Sequence, residues 1–294
     1  MAEAVTAGGS PTVCYADTAA YVAARIVAHS QVADNTFRLR LDCPDLAARV
    51  VPGQFAMVRI PGRIDPLLAR PLAVYDTFAD GCHADFIYLV HGKFTTALKD
   101  VPVGDELVVW GPLGNGFDPP LVDHLVLVAG GIGQTALLAL GRERLGGATY
   151  GSPARVAPRA RRVTFCWGAR HAGMFGDVDD FRHAGIDVHL ATLDGSAGRE
   201  GTVVDLLDDV LPATSASSES VRVACCGPEP MMAAVTQWAQ GRGVGCDVSL
   251  EAPMACGIGI CFTCVAKVRD AEGGWDYRRT CIEGPVFDGL TIEW

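Results

Sequence analysis

The chain has 294 residues, 49% of them hydrophobic and 20% charged, with a formal net charge of −10. That length supports two hydrophobic cores and a small appendage. The acidic balance excludes a basic nucleic-acid surface and disfavours adhesion to anionic lipid, and no apolar run reaches the length of a membrane span. The expected partners therefore include neither nucleic acid nor membrane. Residues 1–20 lack the basic start and apolar core of a signal peptide, and a flexible tail is expected there. The eleven cysteines are an odd number. Seven of them (Cys14, Cys43, Cys82, Cys166, Cys225, Cys226, Cys246) form no disulfide-like framework. A reducing, cytoplasmic setting with free thiols is the simplest reading.

From Tyr21 the text alternates apolar and polar residues, broken by turns at Pro52-Gly53, Pro61-Gly62, Asp80-Gly81 and Val103-Gly104. Short strands at near-regular spacing predict a small antiparallel barrel over 21–119. The one helix-like piece runs roughly from Thr95 to Lys99.

HLVLVAGGIGQTALLAL then gives a continuous apolar run, glycines and a helical pattern, which is the strand–loop–helix opening of a parallel α/β unit over 120–245. Gly131-x-Gly133-x-x-Ala136 fits a loose phosphate-loop form, in which a loop without side chains lets a nucleotide approach a helix N-terminus. A tight strand–helix turn with no ligand fits the same glycines. No acidic residue marks the end of the next strand, RVTFCWGAR, which argues against the dehydrogenase type of nucleotide domain. The segment before it, GGATYGSPARVAPRARR, reads as an exposed, mobile insertion. Its Arg155, Arg159, Arg161 and Arg162 suit either a solvated loop or an acidic partner. A helix, a strand, an acidic helix, a Ser-rich loop and a further strand and helix follow.

The remaining 246–294 segment carries Cys256, Cys261 and Cys264 in a C-x4-C-x2-C run, with Cys281 after sixteen more residues. Four thiolates, two per iron, are what a [2Fe–2S] cluster needs, and this is the plant-type ferredoxin spacing. Gly257 and Gly259 let the backbone curl around inorganic sulfide. Structural zinc is the rival, but zinc sites usually come as two C-x2-C knuckles, and only Cys261 and Cys264 have that spacing.

The barrel, the nucleotide domain and the cysteine run, in this order, resemble the ferredoxin–NADP reductase superfamily, and within it the electron-transfer subunits of class 1B dihydroorotate dehydrogenase. The resemblance covers about 21–294. Its most specific part is CGIGICFTCVAKV with Cys281 ahead of Glu283-Gly284-Pro285-Val286-Phe287. Only 49 residues follow Gly245, too few for the full ferredoxin domain of phthalate dioxygenase-type reductases.

The resemblance implies an FAD site at Arg70, Pro71, Leu72 and Ala73, where the family's R-P-x-S motif has a hydroxyl and this chain has Ala73. There Arg70 would fork onto the flavin diphosphate, and Pro71 would stiffen the strand edge. The same site would include Ile87, Tyr88 and Leu89, with Gly92, Thr95 and Thr96 opening a short helix; Phe94 stands where relatives have a second glycine. Cys226, Gly227 and Pro228, followed by Met231 and Met232, resemble the C-G-P-x-x-M motif that brings nicotinamide to the flavin. Glu251 is a candidate neighbour of that site or a solvent-facing carboxylate.

No acid–base catalyst is implied. The implied cofactors are FAD, a [2Fe–2S] cluster and NAD. The implied partner is an FMN-containing dihydroorotate dehydrogenase catalytic subunit, in a heterotetramer with two of each chain. The implied activity is oxidoreductase electron transfer to NAD⁺ in pyrimidine biosynthesis. The alternatives are the small subunit of an NAD(P)H:ferredoxin oxidoreductase or sulfide dehydrogenase complex, and a non-catalytic zinc-binding assembly module.

Overall fold

The computed structural model describes residues 18–211, 219–270 and 272–294. Most of the expected N-terminal tail, with Cys14, and most of the Ser-rich loop lie outside them.

The first half is a closed barrel of six antiparallel strands. They are β1 (Ala20–Ala33), β2 (Thr36–Asp42), β3 (Phe55–Arg59), β4 (Arg70–Thr77), β5 (His83–Leu89) and β6 (Glu106–Leu113). Their order around the barrel is β1-β2-β5-β4-β3-β6. The alternation seen in the sequence is the in–out period of these strands: Leu39, Leu41, Ala84, Phe86, Leu107 and Val109 all point into one buried core. Two short helices plug it, α1 (Pro44–Ala47) and α2 (Gly92–Leu98). Phe94, standing where a glycine was expected, belongs to this core and is 2% exposed. It anchors α2 to the barrel, which a glycine could not do.

The second half is a seven-stranded sheet. Its central strand, β7 (His124–Gly130), is buried at every position, as a strand covered on both faces must be. The others are β8 (Arg162–Ala169), β9 (Asp187–Thr192), β10 (Arg199–Glu200), β11 (Val221–Cys226) and β12 (Gly245–Ser249). All these strands run parallel. The order is β10-β9-β8-β7-β11-β12, so the strand order reverses between β7 and β11. Helices α3 (Leu138–Arg144), α4 (Val178–His183), α5 (Val203–Val210) and α6 (Glu229–Gln240) cover the faces.

After a two-stranded hairpin, β13 (Val265–Arg269) and β14 (Trp275–Arg279), the chain returns. There β15 (Val286–Asp288) adds to the sheet antiparallel to β12. Strand β12 thus straddles the boundary expected at 245/246, and β15, from within the cysteine segment, extends the same sheet. The cysteine segment is stitched into the nucleotide sheet because it leaves from one sheet strand and ends on the next.

The Arg-rich segment 146–162 departs from its expected mobility. Tyr150 is 5% exposed and donates its hydroxyl to Asp76 Oδ1 on β4 at 2.7 Å. Arg155 makes a two-pronged pair with the buried Glu143, at 2.7 and 2.6 Å. Arg142 of α3 also pairs with Asp76. The segment is a strap between sheet and barrel. Of its arginines, Arg161 and Arg162 meet acidic partners at the surface, Asp123 and Glu219.

Candidate functional site

Barrel, sheet and cysteine segment meet around a cavity of about 750 Å³. One wall is barrel: β4 contributes Arg70 to Ala73, and β5 contributes Ile87 to Leu89. Another lies at the carboxyl ends of β11 and β12, with Cys226, Ser249 and Glu251. A third is the start of the cysteine segment, from Ala252 to Ala255, and Thr263. This lies beside the reversal of strand order, where open α/β sheets place their ligands.

Arg70 is exposed, and its guanidinium reaches only the carbonyl oxygens of Leu68 and Ala69. Among the described residues no carboxylate pairs with it. Tyr88 is held in place by His29, whose Nε2 lies 2.7 Å from the phenol oxygen, and burial raises the pKa of that phenol. Thr95 lines the cavity, but its hydroxyl is committed locally: it donates to the His91 carbonyl at 2.8 Å and accepts the His91 N–H at 2.6 Å. Gly92 and Thr96 lie in the same helix and do not line the cavity.

The glycine loop folds as a 3₁₀ turn over Gly131–Ala136, ahead of α3. Only its later part, Ile132, Thr135 and Ala136, lines the cavity. Gly133 is there for packing, since a Cβ would fall 2.1 Å from the Cys226 carbonyl oxygen. Gly227 likewise lies against Gly130, and neither Gly227 nor Pro228 lines the cavity. Gly131 differs: a Cβ there would meet nothing nearer than Met174 Cε at 3.9 Å, so its surroundings are open.

Cys226 is 3% exposed, and burial drives its thiol pKa up, so the group stays protonated. Ser249, its register partner on β12, offers a hydroxyl to the same thiol. Glu251 retains accessible surface because it faces the cavity, yet surrounding protein raises its carboxyl pKa by desolvation. No ion partner meets it among the described residues.

The four motif cysteines converge next to this cavity. Their thiols meet in pairs, Cys256 with Cys261 and Cys264 with Cys281. Hydrogen bonds, first from Thr263, lower the exposed Cys261 thiol to about 6, whereas burial pushes Cys281 up to about 12. The two pairs thus have an outer and an inner character. Among the described residues no three ligating side chains close on a single point as one metal ion would require. The inner pair packs with Phe55, Met57, Leu113 and Met254, which joins the cluster loop to the barrel. Gly257, at φ +74, has no room for a side chain: a Cβ would lie 2.5 Å from Met57 Cγ. Asn115 clasps the far end, donating to the Val286 carbonyl at 2.8 Å and accepting the Val286 N–H at 3.1 Å.

Sequence reasoning missed His29, Asn115, Ser249 and Trp110, which act through the fold rather than through a motif.

Residues 251–293 match the family model described as the iron–sulfur cluster binding domain of dihydroorotate dehydrogenase B. Residues 23–117 match the oxidoreductase FAD-binding domain. The dihydroorotate dehydrogenase B (NAD(+)) electron transfer subunit of Desulforamulus reducens is 34% identical, over 92% of this chain and 97% of the relative. The chain belongs to the dihydroorotate dehydrogenase B electron transfer subunit family. The family member from Shouchella clausii is 35% identical over 89% of the chain and 94% of its own length. A solved NADH-dependent reduced ferredoxin-NADP oxidoreductase, studied for flavin-based electron bifurcation, is 28% identical with a TM-score of 0.76, over 93% of this chain and 90% of that one. Phthalate dioxygenase reductase, at 16% identity and a TM-score of 0.59 over 89% and 94% of the two chains, shares the fold. In line with the family, the chain is an oxidoreductase of mixed α+β architecture. No helix among the described residues is long and apolar enough to cross a membrane.

Proposed function

We propose that this chain relays electrons to NAD⁺ within a two-chain dihydroorotate dehydrogenase of pyrimidine biosynthesis. It would take them from the FMN of a separate catalytic subunit, through a [2Fe–2S] cluster and then FAD. The observation that carries this reading is the meeting of four thiols, in two pairs, beside the cavity that Arg70 and Cys226 line.

The residues present fit both groups. Two thiols per iron is the donor set of a [2Fe–2S] cluster, and Cys256, Cys261, Cys264 and Cys281 supply it. A cavity of about 750 Å³ is ample for a bound cofactor, and among the described residues Arg70 has no carboxylate to release before meeting a diphosphate. When bound, the cluster carries single electrons, and the flavin joins single-electron to hydride chemistry.

The chain's own residues bind, orient and exclude water. Arg70 would anchor the diphosphate, with Pro71 to Ala73 and Ile87 to Leu89 forming the cofactor's bed. Ala73 brings no hydroxyl there, so polar contacts at that point fall to the backbone. Gly131 leaves open backbone at the end of β7, where a dinucleotide can approach. Cys226 presents a small, uncharged, polarizable group to the nicotinamide, and Gly227-Pro228 fixes the turn that carries it. A protonated thiol is not a nucleophile, and no acid–base step is assigned to it. Glu251 stands near the same point as the one carboxyl that lines the cavity among the described residues.

We divide the chain into a tail to residue 20, an FAD barrel over 21–119, an NAD domain over 120–245 and a cluster segment over 246–294, with β12 spanning the last boundary. The partner would be an FMN-containing catalytic subunit, two copies of each chain assembling in the cytoplasm. The likeness to the bifurcating oxidoreductase supports a second reading, the small subunit of a ferredoxin-linked complex. The companion chain that co-purifies decides between them.

Anaerobic purification with iron, sulfide and flavin assays, and NADH reduction of an artificial dye, tests the relay. A [2Fe–2S] cluster and FAD with dye reduction is the expected result. Zinc in place of iron, or protein without flavin, overturns it.

A further inference from the structure

Arg279 closes β14, two positions before the last cysteine of the motif. Its Nη1 donates to the Gly259 carbonyl at 3.0 Å. Its guanidinium carbon lies 4.9 Å from the centre of the Phe262 ring. Its Nε donates to Glu283 Oε2 at 3.3 Å. One side chain thus reaches across the loop that carries Cys256, Cys261 and Cys264, and ties it to the strand that leads into Cys281.

Gly259 is held from both sides. Arg279 takes its carbonyl, and its own N–H is directed at the Cys281 sulfur. Holding the carbonyl restrains the glycine whose N–H faces that sulfur, and with it the loop around the thiols. Hydrogen bonds to sulfur, together with nearby charge, set the reduction potential of iron–sulfur groups.

The charge balance points the same way. Arg278 and Arg279 share the single carboxylate of Glu283, with Arg278 Nη1 at 3.2 Å from Oε1. That trio keeps one positive charge beside the thiols, in a chain whose formal net charge is −10. A cluster on thiolates is anionic and gains one more negative charge on reduction. A fixed cation stabilises the reduced form more than the oxidised form. Arginine suits the place because its plane can stack on Phe262 while its N–H fork holds a carbonyl.

We propose that Arg279 is a positioning residue that makes the cluster a better electron acceptor, through the Gly259 carbonyl and its own charge. The proposal rests on the cluster reading given above. It places the cluster's potential under the control of a residue outside the cysteine motif.

The test is a redox titration of the cluster in the full chain, followed by its EPR signal, in wild type, Arg279→Met, Arg279→Lys and Glu283→Gln. Iron and sulfide are assayed in each. In Arg279→Met the reduction equilibrium should fall about tenfold, which for one electron is about 59 mV more negative. Arg279→Lys should retain most of the potential while altering the EPR line shape, because charge stays and the fork is lost. Glu283→Gln should move the potential upward. If Arg279→Met loses its cluster, Glu283→Gln decides: an upward shift supports the proposal and an unmoved potential overturns it. Clusters present in all variants at one common potential overturn it while leaving the cluster reading intact. Wild-type protein without iron and sulfide overturns both.

Discussion

Trp110 on β6 donates its indole N–H to the carbonyl of Cys256 at 3.0 Å, so the barrel wall grips the first cysteine of the motif. Tyr21 of β1 stacks on the same indole, ring centres 5.9 Å apart. The next residue, Gly257, is pressed against Met57 and Leu113. The geometry of the thiol loop is therefore fixed by barrel packing as well as by its own turns. Trp110→Phe keeps an aromatic ring and removes the bond, whose loss alone is a change of about 1 kcal/mol. The variant should assemble its cluster and release iron to a chelator about fivefold faster than wild type, as roughly 1 kcal/mol implies. Equal release rates would show that the bond does not restrain the loop.

Removing a ligand should act far more sharply. Cys256→Ser leaves Cys261, on the exposed side, without its thiol partner. The barrel core around Leu39 and Phe86 is formed by other residues and should persist. Iron is expected to fall to background while flavin stays bound. A visible spectrum identical to wild type would refute the ligand assignment.

The strap between the domains gives a prediction about stability. Tyr150→Phe deletes the hydroxyl that meets Asp76 at 2.7 Å and leaves that buried carboxylate with Arg142 and the Thr77 backbone N–H. Loss of a bond to a charged group costs about 1.5–3 kcal/mol. A melting temperature lowered by several degrees and faster proteolysis within 146–162 are expected. Unchanged melting and cleavage would return the strap to the mobile insertion that its composition suggests.

What the sequence revealed and what it hid have physical causes. Cys256, Cys261, Cys264 and Cys281 were legible because ligand spacing is local and few sites tolerate it. The barrel was legible because strands such as β2 and β5 alternate cleanly between core and surface. The strap was not, because Gly, Pro and Arg report a lack of regular structure, whereas Tyr150 and Arg155 are ordered by partners at Asp76 and Glu143. Gly133 shows a different limit. Its place in a phosphate-loop pattern suggested a ligand, and the structure gives it to loop packing against Cys226. A glycine required for either purpose looks the same in the sequence. Ser249 and Asn115 carried no signal, since each acts on a segment distant in the chain or across a sheet.

One buried imidazole should leave a mark on the pH dependence of folding. His124 opens β7 with 0% exposure; its Nε2 lies 2.9 Å from Thr164 Oγ1, and its Nδ1 has no partner among the described residues. Burial, reinforced by the positive charge of Arg162, pushes its pKa down to about 4 from an ordinary 6.5. The unfolded chain therefore binds more protons than the folded one between those values. The neutral imidazole's contribution is whole above about pH 6.5 and is lost as the pH falls toward 4, by an amount on the order of 3 kcal/mol. Glu219, whose pairing with Arg162 lowers its own pKa, also loses stability on acidification and faces His124 from the next segment. His124→Gln removes the imidazole's titration and leaves Glu219 in place, so the difference between the two proteins isolates the histidine. Scanning calorimetry from pH 7 to 4 should show a shallower fall in melting temperature for the variant, with the curves converging or crossing at the acid end. Parallel curves across that range would mean that the imidazole is protonated as easily in the folded chain as in water.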